Sequence, residues 1–313
     1  MFISAIPSPS IPIPSIPSPG SPSPSPSPGL TVCPEFQPLK IIDVKQRMSN
    51  PITLDVSDSG DIAVVNNHDF NNDFRVVLFN ADGEYLRDIG GVGSGGQLSD
   101  PYGVIFNKDK VVITDNPGDC GCIKLFDIDG TYKRTLCTLA RGMLLKRMCT
   151  ANQTIACLCY DQNTRETFIK VFDKDSYDHL HDIKLHDPND RHMRPFSLVY
   201  DNNKYFVSFS TPNTVCIFDE NGSLLYTFGM KGNKEGQFND VRGLAVFGKE
   251  MLLVCDLNNH RMQVFSQDGQ FIRSFGSYGS GLGQMKNPYD VAVTPDGRVF
   301  VLENRSKRVQ VWK

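Results

Sequence analysis

Five side chains of two chemical kinds, three aromatics and two cations, recur at one phase of a repeating pattern: Tyr102, Lys146, Phe196, Arg242 and Tyr289, with Ile52 in the first copy. Lys146 is placed by alignment of the weaker third copy. Aromatic rings stack on splayed bases and cations meet phosphates, which is how single-stranded or loop RNA is gripped. Adjoining loops add Lys45, Arg47, Arg141, Arg147, Arg191, His192, Arg194, Lys231, Lys234 and Lys286. The ligand-binding candidates drawn from this set are Tyr102, Lys146, Arg147, Arg194, Phe196, Arg242 and Tyr289. A second reading is equally physical. Aromatics at these positions would plug the centre of a ring, with the cations merely solvated. The loop carboxylates Asp100, Asp187, Asp190, Glu235 and Asp240 would dilute any basic field.

Other chemistry is sparse. The histidines of "HLHDIKLHDPNDRH" (His179, His181, His186, His192) cluster in sequence, but the first two fall on one outer strand. "CGC" at Cys120–Cys122 offers two thiolates without the second pair that a structural zinc site uses. No P-loop, nucleophile elbow or HExxH motif occurs. Calcium-dependent lactonases need clustered hard oxygen ligands, whereas the recurring positions here are mainly aromatic and basic. A metal-dependent enzyme of the lactonase or amidating-lyase kind is the alternative to a non-catalytic binding platform. The expectation is no enzyme, no cofactor and no metal.

The elements that would hold these residues follow from a repeat. A β-rich stretch ending in an aromatic residue and a polar turn recurs as "VVLFNADG", "IKLFDIDG", "IKVFDKDS", "VCIFDENG", "MQVFSQDG" and "VQVWK". Its aromatics Phe79, Phe126, Phe172, Phe218, Phe265 and Trp312 are spaced by 47, 46, 46, 47 and 47 residues. Each copy reads as four short strands, with Asp-Gly or Asn-Gly hairpin turns at Gly83, Gly130, Gly222 and Gly269. The third copy has Asp175-Ser176 instead. No helical period of useful length appears. Four strands at this period predict an all-β, six-bladed β-propeller.

The sixth copy stops after three strands, at "RVQVWK". The unassigned run "PLKIIDVKQ" (Pro38–Gln46) supplies the missing fourth, so the ring is predicted to close with an N-terminal strand in the last blade. Deleting that run should destabilise the whole ring. The propeller is assigned to residues 36–313. Residues 1–35 form a Pro/Ser-rich head; positions 1–29 alone hold ten prolines and nine serines and no charge. That head reads as a linker or as a string of Ser-Pro phosphorylation or proline-recognition sites.

The net charge of −3 excludes nucleic-acid binding by bulk charge but permits a local basic face. No apolar run is long enough to cross a bilayer. Nine cysteines without a CxxC pair, several inside apolar strands, read as reduced and buried thiols. The expectation is a soluble, cytoplasmic, monomeric chain.

"GNKEGQFNDVRGLAVFGKEMLLVCDLNNHRMQVFSQDGQFIRSFG" and "GSGLGQMKNPYDVAVTPDGRVFVLENRSKRVQVWK" resemble NHL repeats. The related triplet here is "NHR" at Asn259–Arg261. The likeness extends over residues 38–313 and is weakest in the third and fourth copies. It is similar to the C-terminal propellers of tripartite-motif (TRIM) NHL proteins of the Brat type. That resemblance implies a platform that binds RNA or protein through one face, as the recognition domain of a TRIM-like ubiquitin ligase or a post-transcriptional regulator. RING, B-box and coiled-coil modules are not seen in this sequence, so ligase activity would come from a longer form or a partner. Position and resemblance together give Arg75, Arg261 and Arg308 a structural role, pairing with Asp256 or Glu303 between blades. His260 reads the same way.

Overall fold

Short β-branched runs bounded by Gly, Asn and Asp leave this chain little choice but strands, and strands are what form. The structure, a computed structural model, describes residues 34–67, 74–186 and 193–313; of the proline-serine head it describes only the last two positions. Glu35–Lys313 forms one unit, built of six four-stranded antiparallel sheets. Helix among the described residues amounts to two 3-10 turns, Pro117–Asp119 and Leu257–Asn259.

Blade one is Pro51–Val56, Ile62–Asn66, Arg75–Phe79 and Tyr85–Ile89, counted from the axis outward. Blade two is Pro101–Asn107, Lys110–Asp115, Cys122–Asp127 and Tyr132–Thr138. Blade three is Met143–Ala151, Thr154–Asp161, Thr167–Asp173 and His179–Lys184. Blade four is Arg194–Asp201, Lys204–Thr211, Thr214–Asp219 and Leu224–Phe228. Blade five is Val241–Phe247, Met251–Asp256, Arg261–Ser266 and Phe271–Phe275. Blade six takes three strands from the C-terminus, Pro288–Val293, Val299–Glu303 and Arg308–Trp312, and its outer strand, Pro38–Asp43, from the N-terminus.

The closure expected from the sequence is thus observed. Ile41 pairs with Gln310, Ile42 with Val309 and Asp43 with Arg308. Gln37 and Lys313 exchange backbone hydrogen bonds of 2.7 and 2.9 Å just beyond the ladder. Ile42 and Val44 are buried, whereas Leu39 and Ile41 are exposed. The alternation is that of a strand covered on one side only.

Second and third strands are buried on both faces because each blade packs against two neighbours. Ile62–Asn66, Val299–Glu303 and Arg308–Trp312 have no exposed residue at all. Core clusters therefore lie between blades. One joins Val65, Val76 and Ile89 of blade one to Val111, Ile113 and Phe126 of blade two. Another joins Ile62 and Val77 of blade one to Phe300, Val309 and Ile42 of blade six, which makes the seam as apolar as any other joint.

The hairpin turns behave as their residues dictate. Gly83 and Gly269 take φ of 87° and 85°, the left-handed geometry that a tight turn requires. Blade three lacks such a glycine, and Tyr177 adopts φ 64° instead. The cysteines follow the expectation of free, core-packed thiols. None of the eight described cysteines is in a disulfide, and Cys157, Cys159, Cys216 and Cys255 are buried. Burial pushes the Cys149 thiol up to about 12. Among the described residues no helix is long and apolar enough to cross a membrane.

Candidate functional site

In an antiparallel blade the connections to the next blade and the second-to-third loops fall on one face, where the innermost strands begin. The other two kinds of turn fall on the opposite side. Tyr102, Lys146, Phe196, Arg242 and Tyr289 all stand at the start of innermost strands, on the first face. The phase given to Lys146 is supported by two matching bonds. Thr114 Oγ1 donates to Lys146 O at 2.9 Å, as Ser208 Oγ donates to Arg242 O at 2.7 Å.

These side chains converge. The Phe196 ring meets Tyr102 edge-on at 6.0 Å and Tyr289 at 5.3 Å. Arg242 lies 4.8 Å from the centre of Phe196 and 5.0 Å from that of Tyr289, and its Nη2 donates to Asp240 Oδ2 at 2.7 Å. Lys146 Nζ sits 4.2 Å over Tyr102. Burial pushes the Lys146 ammonium below the usual lysine range, partly offset by Asp100. Phe196 itself is only 2% exposed, so it forms the hub of the cluster. Tyr102, Lys146, Arg242 and Tyr289 remain half-buried around it and present edges to solvent. Arg194, one residue before Pro195, is exposed on the same face.

Arg147 is elsewhere. It belongs to the innermost strand of blade three and not, as its sequence setting suggested, to an adjoining loop. Being next to Lys146, it faces the other way. It is 6% exposed and forms an ion pair across the axis with Asp290 of blade six, which is fully buried. Arg147 Nη1 also donates to Leu54 O at 3.3 Å, and Asp290 Oδ2 accepts the Leu54 N–H at 2.8 Å. Three blades are thereby tied at the axis. The next position in each innermost strand reads Thr53, Gly103, Arg147, Ser197, Gly243 and Asp290. One cation, one anion and four small residues share this layer, and a Cβ on Gly243 would stand 2.3 Å from Asp290 Oδ1. Moving the sequence register on by one residue would have exposed this pair.

The structural role of the arginines holds, with one correction. Arg261 Nε bonds Asp256 at 2.8 Å and Arg308 Nε bonds Glu303 at 2.7 Å, within a blade and not between blades. Each acid stands one strand inward of its arginine, so the cross-strand neighbour is the nearest partner. The arginines then reach out to the incoming connection, Arg261 Nη2 to Lys234 O and Arg308 Nη2 to Gln284 O, both at 2.7 Å. Lys124 and Asp115 repeat the device in blade two, with Lys124 Nζ 2.7 Å from the acid and 2.6 Å from Gln97 O. His260 accepts the Asn287 N–H at 3.2 Å through Nδ1.

His179 and His181 lie on the outer strand of blade three, far from the axis, and His179 Nε2 is 2.7 Å from Asp182 Oδ1. His192 and the loop residues Asp187, Asp190 and Arg191 lie outside the described residues. Among the described residues no three His, Cys, Asp or Glu side chains come together as a metal site.

The opposite end of the axis opens into a cavity of about 1100 Å³ to which all six innermost strands contribute, with Arg147 at its floor. Neither its size nor the carboxylate of Asp55 in its wall was signalled by the repeat pattern.

No family model matches the chain, and no curated protein matches it. Solved structures do. A Bacteroides thetaiotaomicron structural-genomics protein of unknown function aligns with a TM-score of 0.62 at 12% identity, over 85% of this chain and 69% of that one. Virginiamycin B lyase from Staphylococcus aureus aligns with a TM-score of 0.60 at 10% identity, over 89% and 99%. The WD40 propeller domain of Doa1 gives 0.58 at 11% identity, over 89% and 97%. Identities this low speak for the fold alone, and a fold shared with a lyase is as compatible with catalysis as with binding. The chain is a six-bladed β-propeller.

Proposed function

We propose that this propeller is a non-catalytic binding platform of the NHL type, and that it takes single-stranded RNA across the face where the innermost strands begin. The supporting observation is how charge is spent on that face. Five of its acids are engaged inside the protein: Asp115, Asp256 and Glu303 with basic side chains of their own blades, Asp240 with Arg242, Asp100 with Asn67; Asp119 and Glu235 are exposed. Arg141, Arg194, Lys231, Lys234 and Arg305 are exposed there. None of these five has an ion pair among the described residues. A polyanion meets unspent cations around a half-open aromatic centre, the combination that single strands need. Such a chain would act as the recognition domain of a post-transcriptional regulator or TRIM-like ligase in the cytoplasm.

The test is filter binding of a randomised single-stranded RNA pool at several salt concentrations. Each phosphate contact adds about 0.7 to the slope of log affinity against log salt. The triple variant Arg194→Ala, Lys231→Ala, Lys234→Ala should bind more weakly and with a slope smaller by about 2. Affinity independent of salt and unchanged in that variant refutes the reading. Salt-tolerant capture of a protein by the same face would replace RNA with a protein ligand.

A further inference from the structure

The cavity on the opposite side of the ring is chemically unlike the face just described. Its wall mixes polar groups with half-exposed apolar side chains, among them Val56, Phe106, Val199 and Phe247. Two opposite charges sit deep within it, and they do not pair with each other. Arg147 is more than nine-tenths buried. Its Nη1 is committed to Asp290 and Leu54, and its Nε has no hydrogen-bond partner among the described residues. Asp55 accepts the Phe106 N–H at 2.7 Å, and it has no ion pair among the described residues.

Arg147 keeps hydrogen-bonding capacity beyond its ion pair with Asp290, and Asp55 keeps some beyond its bond from Phe106. Burial pushes the Asp55 carboxyl up to about 6 against the attraction of Arg147. An anion alone would satisfy Arg147 and worsen the position of Asp55; an ammonium alone would do the reverse. A molecule carrying both would satisfy the two together at no net charge, and an apolar remainder would face Phe106, Val199 and Phe247. The rim is close to balanced in charge. Asp58 and Lys174 line it as opposite charges, and Lys108 is held by Asp175 at 2.5 Å.

We infer that this cavity is a binding site for a small zwitterion of the α-amino-acid class with an apolar side chain, its carboxylate on Arg147 and its ammonium on Asp55. The site lies on the far side of the ring from the RNA face and does not depend on the RNA reading.

Calorimetric titration of the full chain, without RNA, with L-phenylalanine and L-leucine tests it, alongside N-acetylphenylalanine and phenylalaninamide. The blocked compounds keep the apolar part and lose one charge each. At least one free amino acid should bind, and each blocked compound should bind about 10–100-fold more weakly. Asp55→Asn keeps an acceptor for the Phe106 N–H, so the fold is retained. In that variant free phenylalanine should weaken by a similar factor, while N-acetylphenylalanine should not. Absence of binding by both free amino acids at millimolar concentration overturns the inference. So does equal binding of a blocked compound, or unchanged affinity in Asp55→Asn.

Discussion

Replacing Asp290 by asparagine changes a single charge at the axis of the ring. Asparagine can still accept the Leu54 N–H that Asp290 holds at 2.8 Å, so the backbone need not move. What disappears is the only carboxylate that ion-pairs with Arg147 among the described residues. The guanidinium is 6% exposed, and removing one partner of a buried pair costs about 3–5 kcal/mol. Arg147 also lines the large cavity at that end of the axis, where water can reach it, which favours the lower end, about 3 kcal/mol. Against a typical stability of about 5–15 kcal/mol this is a large fraction. The assay is urea unfolding followed by tryptophan fluorescence, since Trp312, the one tryptophan, lies in the closing blade. The midpoint should fall with an unchanged slope. Arg147→Met should be comparably costly, because it strands Asp290. The double variant should be less destabilised than the sum of the two by at least about 1.5 kcal/mol. An Asp290→Asn protein within about 0.5 kcal/mol of wild type, or strictly additive variants, would show that the pair does not hold the axis.

Two further expectations concern the seam and the cavity. Ile42→Ala should cost about 2–5 kcal/mol in the same unfolding assay, while Leu39→Ala, three residues away on the exposed side, should stay within about 0.5 kcal/mol; equal effects would mean that the seam is not packed as described. Asp55 ionises near 6 in the folded chain against 3.8 for the free side chain, so the fold loses stability as pH rises from about 4 to about 6 and stays lower above that. Relative to wild type, Asp55→Asn should therefore gain about 1–3 kcal/mol on going from pH 4 to pH 8, and a pH-independent difference would refute the burial argument.

The fold was legible because its determinants are local and repeated. Phe79, Phe126 and Phe265 end third strands before Asp-Gly or Asp-Gly-like turns, and a period near 47 residues with no helix leaves a propeller as the architecture. The missing strand was legible as well, because six inner strands and five outer ones cannot close. The axial pair was not. Arg147 and Asp290 are 143 residues apart in sequence, and each looks like an ordinary charge beside a turn. Only the shared phase of the innermost strands links them. The arginine pairs were legible in identity but not in geometry, since Arg261 and Asp256 being five residues apart does not say whether their strands belong to one blade. The aromatic centre lies between the two readings that the sequence left open: Phe196 is a plug, and the residues around it are half-exposed.

A ring closed by strands from its two ends also sets a clock. Residues 38–43 are made first, and their ladder partner ends at Trp312. At about 5–20 residues per second of synthesis, roughly 270 further residues occupy about 15–50 s. Through that interval the N-terminal strand has no native neighbour, although one of its sides is meant for a core. An unpaired strand of this kind invites association with other nascent chains. The lysines that flank its apolar residues, half-buried Lys40 and exposed Lys45, are placed where charge would discourage such pairing.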